Sequence, residues 1–308
     1  MFQIGHVSDL HVFALTDRRP TRFVNKRMVG GANLLFNRKK SHSPQVVRRA
    51  LDALVAHRVD HLAVSGDVSN LALDEEFQEV ARLLDDTRLG ADQISVVPGN
   101  HDYYTPEVAR TGRFERHFAQ YQRSDLPQHQ LASGYPFCRL RGDVAIIGLN
   151  TGIATPPMWA TGKVDERELR ALGKLLEDEA VASRFVVVML HHPLLPFEHT
   201  RTDYMRRLIN AADVLDVLRR HDVGLAIHGH NHYFHHLELP HLRGTGTLHV
   251  CEAGSTSIGA HHNPCFAGKY NIYHIEDRRL VKIDTYKFEG EDAGFVTWRE
   301  HKVNEVVV

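Results

Sequence analysis

A chain of 308 residues with 43% hydrophobic content is long enough to fill a sizeable core. Its 37 basic and 38 acidic side chains leave a formal charge of −1, which excludes a globally attractive surface for nucleic acid or anionic lipid. Its three cysteines, Cys138, Cys251 and Cys265, lack C-x-x-C spacing, so neither a disulfide scaffold nor a zinc knuckle is indicated.

The outlier is histidine. There are 23, several of them doubled, as in His191-His192, His235-His236 and His261-His262. A titratable ring nitrogen is the commonest protein ligand for a metal ion, so metal binding is the first expectation.

The chain opens on an apolar run, 2–7, with no charged leader and no long apolar segment. This predicts a buried strand and a cytoplasmic protein. The strand stops at Ser8-Asp9-Leu10-His11, where Asp9 and His11 stand at i and i+2 and, in extended backbone, would point to one side. From 13 to 43 the periodicity is lost. Arg18, Arg19, Arg22, Lys26, Arg27, Arg38, Lys39 and Lys40 alternate with Phe23, Met28, Leu34, Leu35 and Phe36, which marks an insert beside the strand end.

Ser43-Pro44 then reads as the cap and first-turn proline of a helix whose buried stripe is Val46, Val47, Ala50, Leu51, Leu54 and Val55. Strands at 61–65 and 94–97 alternate with helices at 73–84 and 106–121, the signature of βαβ units in a layered sheet. Segments 137–140 and 144–149 flank Arg141-Gly142-Asp143 as a hairpin, and a helix starts near Asp165. A fully apolar strand at 185–190 ends in His191-His192-Pro193. A helix at 211–220 leads to a strand at 225–227 that ends in His228-Gly229-His230-Asn231-His232. The tail, 245–308, carries strand-like segments at 248–251, 270–275 and 281–288, and the expected organisation is one domain over 1–308.

Each polar cluster therefore falls at the carboxyl end of a predicted strand, the edge where open α/β sheets bind ligands. Gly99-Asn100-His101-Asp102 is the densest of them: an amide oxygen, an imidazole and a carboxylate able to fix the imidazole's tautomer. His6 and His228, inside strand runs, read as core histidines, and His192 as packing. Asn70 either supports the site or caps a turn. His235, His236, His261 and His262 fall to loops, and Cys251 and Cys265 to ordinary buried thiols.

The ordered set Asp9-x-His11, Gly66-Asp67, Gly99-Asn100-His101-Asp102, His191-His192-Pro193 and Gly229-His230-Asn231-His232 resembles the calcineurin-like metallophosphoesterase superfamily, over roughly 4–232. Each fragment is weak alone; five in order at strand ends are not. The resemblance implies an α/β, two-sheet sandwich of the αββα type with flanking helices and the active site at strand carboxyl ends.

It also implies two divalent metal ions of the Mn, Fe or Zn kind. Asp9, His11, Asp67 and His232 would hold one, and Asp67, Asn100, His191 and His230 the other, with Asp67 bridging. The nucleophile would be hydroxide held between the metals. His101 would stabilise or protonate the departing oxygen, and Asp102 would hold its ring.

The substrate implied is a small phosphoester, and the similarity to class III cyclic-nucleotide and glycerophosphodiester phosphodiesterases favours a diester. The 13–43 insert resembles that of the pyrophosphatases acting on UDP-2,3-diacylglucosamine in lipid A synthesis, which would add peripheral membrane contact through 13–43. A scaffold without catalysis, as in the retromer subunit of the superfamily, is the alternative of another class. Near-neutral charge argues against a nuclease. Oligomeric state is not readable from the sequence.

Overall fold

In a computed structural model of the chain, the described residues are 1–14, 42–196, 201–261 and 263–303. Most of the 13–43 insert, with its basic and apolar residues, lies outside them, as does His262.

Two six-stranded sheets carry the architecture. The first has the order β12-β11-β10-β1-β2-β3, in which β1 (Phe2–Val7), β2 (His61–Val64) and β3 (Ile94–Val96) run parallel. β10 (Lys269–Glu276), β11 (Arg279–Gly290) and β12 (Gly294–Lys302) extend it as an antiparallel meander. The second sheet has the order β4-β5-β6-β7-β9-β8. There β5 (Val144–Gly148), β6 (Phe185–Met189), β7 (Leu225–His228) and β9 (Thr247–Ala253) are parallel, with β4 (Phe137–Arg141) and β8 (Phe234–Pro240) antiparallel at the two edges.

The sequence pattern explains the layers. β5, β6 and β7 are buried at every position, as parallel strands covered on both faces must be. One face of each sheet meets the other in a core that joins Ile4, Ala63, Val97 and Tyr273 to Ile146, Val187, Met189 and Ile227. The outer face of the first sheet is covered by α1 (Pro44–Ala56) and α2 (Asp74–Asp86) through Val47, Leu51, Leu54, Phe77, Val80 and Leu84. That of the second is covered by α5 (Glu166–Leu176) and α8 (Ala211–Arg220) through Leu172, Leu175, Val214 and Leu218. Helices outside and two sheets inside make the expected αββα sandwich. Among the described residues, no helix is long and apolar enough to cross a membrane.

Several local expectations need correction. The helix expected over 106–121 is broken into α3 (Pro106–Thr111) and α4 (Arg113–Phe118), because Gly112 between them adopts φ +59° and ends the first as a left-handed cap. Val55, counted in the buried stripe of α1, is 37% exposed. His235 and His236 lie on β8 rather than in a loop, and β12 was not anticipated. β8 is an edge strand of mostly intermediate burial, so it shows none of the continuous apolar signal that betrays β6. Cys265 is exposed, not buried. Among the described residues, α6 (Glu179–Ala182) and α7 (Arg201–Arg206) are the remaining α-helices.

Candidate metal centre

The loops that leave β1, β2, β3, β6 and β7 converge at one edge of the sandwich, and they bring Asp9, His11, Asp67, Asn100, His191, His230 and His232 with them. Parallel strands put all these carboxyl ends on one side. Hydrogen bonds between the loops then fix them: Asp9 N–H donates to the Gly66 carbonyl at 3.0 Å, and His11 N–H to that of Asp67 at 2.9 Å. The Ser255 and Ser257 hydroxyls both donate to the Asp9 carbonyl, at 2.8 and 2.9 Å.

Asp9 and His11 do converge, with 3.7 Å between Asp9 Oδ1 and His11 Nε2, but not through extended backbone. Their φ angles are +52° and +43°. Asp67, His230 and His232 also have positive φ, at +50°, +87° and +66°. Left-handed backbone at a residue with a Cβ costs on the order of 1–3 kcal/mol and clusters where function demands it. Spacing predicted the convergence of Asp9 and His11 for the wrong geometric reason.

Asp67 is central. Its Oδ2 lies 3.4 Å from His191 Nε2 and 3.9 Å from His11 Nε2, while its Oδ1 accepts the His101 backbone N–H at 2.7 Å. It belongs to two clusters able to hold a cation, one with His11 and His101 and one with His191 and His230; a third unites His11, His42 and His232. On the other side, Asp9 Oδ2 accepts the His230 backbone N–H at 2.9 Å and Asp9 Oδ1 stands 3.1 Å from His232 Nε2.

Gly99 allows this packing. A Cβ there would overlap the Asp67 carboxylate, so only glycine lets the Asn100-His101 loop close on it.

The charges of these groups are strongly coupled. Burial opposes ionisation of Asp67, but the imidazoles of His191 and His101 outweigh it and hold the carboxyl well below its ordinary range. Burial likewise opposes the charge on His191, yet Asp67 raises that ring to about 10. His11 and His230 are pushed well below 6.5 by burial and by neighbouring imidazoles, which keeps their lone pairs free for ligation.

Ring nitrogens meet head to head, with His11 Nε2 3.1 Å from His232 Nε2 and His230 Nδ1 3.1 Å from His191 Nε2. Lone pairs aimed at one point are reconciled by a proton or by a metal ion. Asn100 Oδ1 is buried with no hydrogen-bond partner, and such an orphaned acceptor costs roughly 1–3 kcal/mol unless something takes it up. Imidazole, carboxylate and amide oxygen without thiolate form a donor set for Mn, Fe or Zn, and the residues present fit such ions.

The expectation for Asp102 is overturned. Its carboxylate does not hold the His101 ring. It accepts from the backbone N–H groups of Val68 (3.2 Å), Ser69 (2.9 Å) and Gly99 (2.9 Å) and from the Ser69 hydroxyl (2.8 Å). Burial and then the charge of Asp67 raise it to about 7. Asp102 clamps the loop after β2 to the loop after β3. The His101 ring is instead fixed by Nδ1–H donating to the Asn70 carbonyl at 2.7 Å, and the Asn70 amide in turn donates to the His11 carbonyl. Asn70 is thus a support of the site.

His192 packs as expected, its Nδ1 2.8 Å from Thr151 Oγ1, and His6 is satisfied in the core by Ser65 and Tyr273. Sequence reasoning missed His42, whose ring lies 4.7 Å from His11 and whose Nδ1 is 2.7 Å from Ser257 Oγ. It also missed Ser255 and Ser257. None of these sits in a motif with ligand spacing, so the sequence offers no signal for them.

The sequence model of the family described as calcineurin-like phosphoesterase matches residues 2–234. No curated protein matches the chain. Among solved structures, a dimetal phosphatase from Danio rerio is similar at a TM-score of 0.58 and 16% identity, over 92% of this chain and 95% of that one. The protein TT1561 of Thermus thermophilus is similar at a TM-score of 0.50 and 14% identity, over 93% and 98%. A purple acid phosphatase from yellow lupin reaches a TM-score of 0.58 at 9% identity, over 97% of this chain and 53% of that one. At these identities the likeness is one of fold.

Proposed function

Because the chain belongs to the calcineurin-like phosphoesterases, a family of metal-dependent phosphoester hydrolases, we propose that it hydrolyses a phosphodiester at a binuclear centre. The observation that carries the two-ion reading is that Asp67 Oδ2 lies within reach of both His11, at 3.9 Å, and His191, at 3.4 Å, which belong to different ligand sets. Asp9, His11, Asp67 and His232 would hold one cation, and Asp67, Asn100, His191 and His230 the other. The dimetal character of the similarly folded zebrafish phosphatase agrees with this. Divalent cations held there would supply an acidified water and neutralise the phosphate oxygens.

The chain's own groups do the rest. His101 Nδ1–H is committed to the Asn70 carbonyl, so Nε2 is the atom that meets substrate. Protonated there, the ring could hand a proton to the departing oxygen. Asp102 keeps the Asp67 and Asn100 loops in register so that ligands and acid keep their spacing. The filled ligand set supports an enzyme over a scaffold, since all seven positions carry side chains of the right chemistry.

The preference for a diester, such as a cyclic nucleotide, rests on the motif resemblance to class III phosphodiesterases. Turnover of bis(4-nitrophenyl) phosphate, 4-nitrophenyl phosphate, a cyclic nucleotide and a UDP-sugar by Mn-loaded protein tests it. Faster hydrolysis of the diesters is expected. Preference for the monoester or for the pyrophosphate would overturn the diester assignment, and no hydrolysis by fully metallated protein would overturn the enzyme.

A further inference from the structure

Away from the candidate catalytic residues, a second convergence of imidazoles joins the free edges of the two sheets. β8 ends one sheet and β12 ends the other. On β8, His236 and Glu238 stand at i and i+2 and share a face, and Glu238 is paired across the ladder with His249 of β9.

His236 Nε2 lies 3.1 Å from His249 Nδ1. Glu238 Oε1 lies 3.9 Å from the first of these nitrogens and 3.8 Å from the second. From β12, His301 places its Nε2 3.9 Å from the same Glu238 oxygen, and its ring is 4.8 Å from that of His236.

We propose that His236, Glu238 and His249, with His301 as fourth donor, form a structural site for a divalent transition ion, zinc first. Ligand atoms at 2.0–2.2 Å around a tetrahedral zinc stand about 3.4 Å apart, and the separations of 3.1 to 3.9 Å among His236, Glu238 and His249 bracket that value; His301, 3.9 Å from Glu238 but outside that trio, would swing inward to complete the set. The donor set of three imidazoles and one carboxylate suits zinc, and it holds no water-rich oxygen shell for Mg or Ca. A groove of about 400 Å³ lined by Phe234, His236, Arg299 and His301 gives an ion access from solvent.

The placement gives the ion a purpose. Edge strands expose unpaired backbone and invite slippage, and an ion held by β8, β9 and β12 ties two such edges together. Its binding energy would add directly to the stability of the fold.

The test uses untagged full-length protein, saturated with zinc and then desalted, with zinc counted against protein for the wild type, His249→Gln and His301→Ala. The wild type should retain one equivalent more than His249→Gln, while phosphoester turnover stays unchanged. Cobalt loading should give tetrahedral visible bands that weaken in the variant, and zinc should raise the Tm of the wild type more than that of the variant.

If His249→Gln does not fold, the half-exposed His301→Ala decides, with affinity at this site roughly ten-fold or more weaker. Equal zinc content and equal affinity in the wild type and the folded variants would overturn the site and leave a hydrogen-bonded histidine pair.

Discussion

Asp67 Oδ1 accepts the backbone N–H of His101 at 2.7 Å, so the carboxylate proposed to bridge two cations also fixes the loop that carries the proposed acid. The loops after β2 and β3 are one mechanical unit, locked further by Asp102, and a disturbance to either reaches both.

Gly99→Ala tests that unit. Its Cβ would overlap the Asp67 carboxylate, so Asp67 must move away from His191 and His11. Metal retention measured by elemental analysis should fall by an order of magnitude or more, in keeping with the 10–100-fold cost of disturbing groups that orient ligands. Retained metal and retained turnover would show that the loops are slack.

His101→Ala and Asp102→Ala should separate in their effects. The first removes a proton donor and should lower kcat by roughly 10²–10⁴-fold with metal content intact. The second unclamps three backbone N–H groups and the Ser69 hydroxyl, and should lower metal affinity and thermal stability along with rate. Parallel measurements of metal content and kcat distinguish the two.

How much of this was legible in the sequence follows from the kind of signal each part leaves. β6 announces itself because five consecutive buried positions must all be apolar. The ligands fall in short motifs after such strands, and the topology of a parallel sheet gathers them. By contrast β8 and β12 are half-solvated edges with mixed composition, so neither was anticipated. Asp102 was misread because adjacency to His101 suggested a ring partner. The side chain in fact turns to backbone N–H groups 33 and 34 residues earlier in the chain, a choice set by loop packing and invisible to spacing. His42 reaches the site from the end of the insert, where no periodicity constrained it.

Glu168 gives a pH test away from the site. It is buried and accepts the Asn150 backbone N–H at 2.7 Å; burial raises it to about 8 from 4.5. Because the folded form holds its proton more tightly than the unfolded chain, its contribution is full below pH 4.5 and is lost as pH rises toward 8. Glu168→Gln keeps the acceptor without the charge. It should match the wild type near pH 4.5 and exceed it by a few kcal/mol at pH 8, as read by urea unfolding at both values.

His61 should act in the opposite direction. Burial, then repulsion from Arg141 and Arg139, lowers it to about 3, with its Nε2 held at 2.9 Å from Ser95 Oγ. The unfolded chain takes up the proton first. Stability contributed here is therefore complete above pH 6.5 and is lost as pH falls toward 3, on the order of 2 kcal/mol by pH 4.5. His61→Asn should be less stable at pH 7.5 and decline less steeply on acidification, measured by urea unfolding across that range.

The central claim is that Asp67 stands between two cations. Crystals soaked in Mn and measured at its absorption edge should show two anomalous peaks about 3.5–4 Å apart, one on either side of the Asp67 carboxylate, the first within reach of His11 and the second of Asn100 and His191. A single peak, or none, at an ordered Asp67 would contradict the binuclear account.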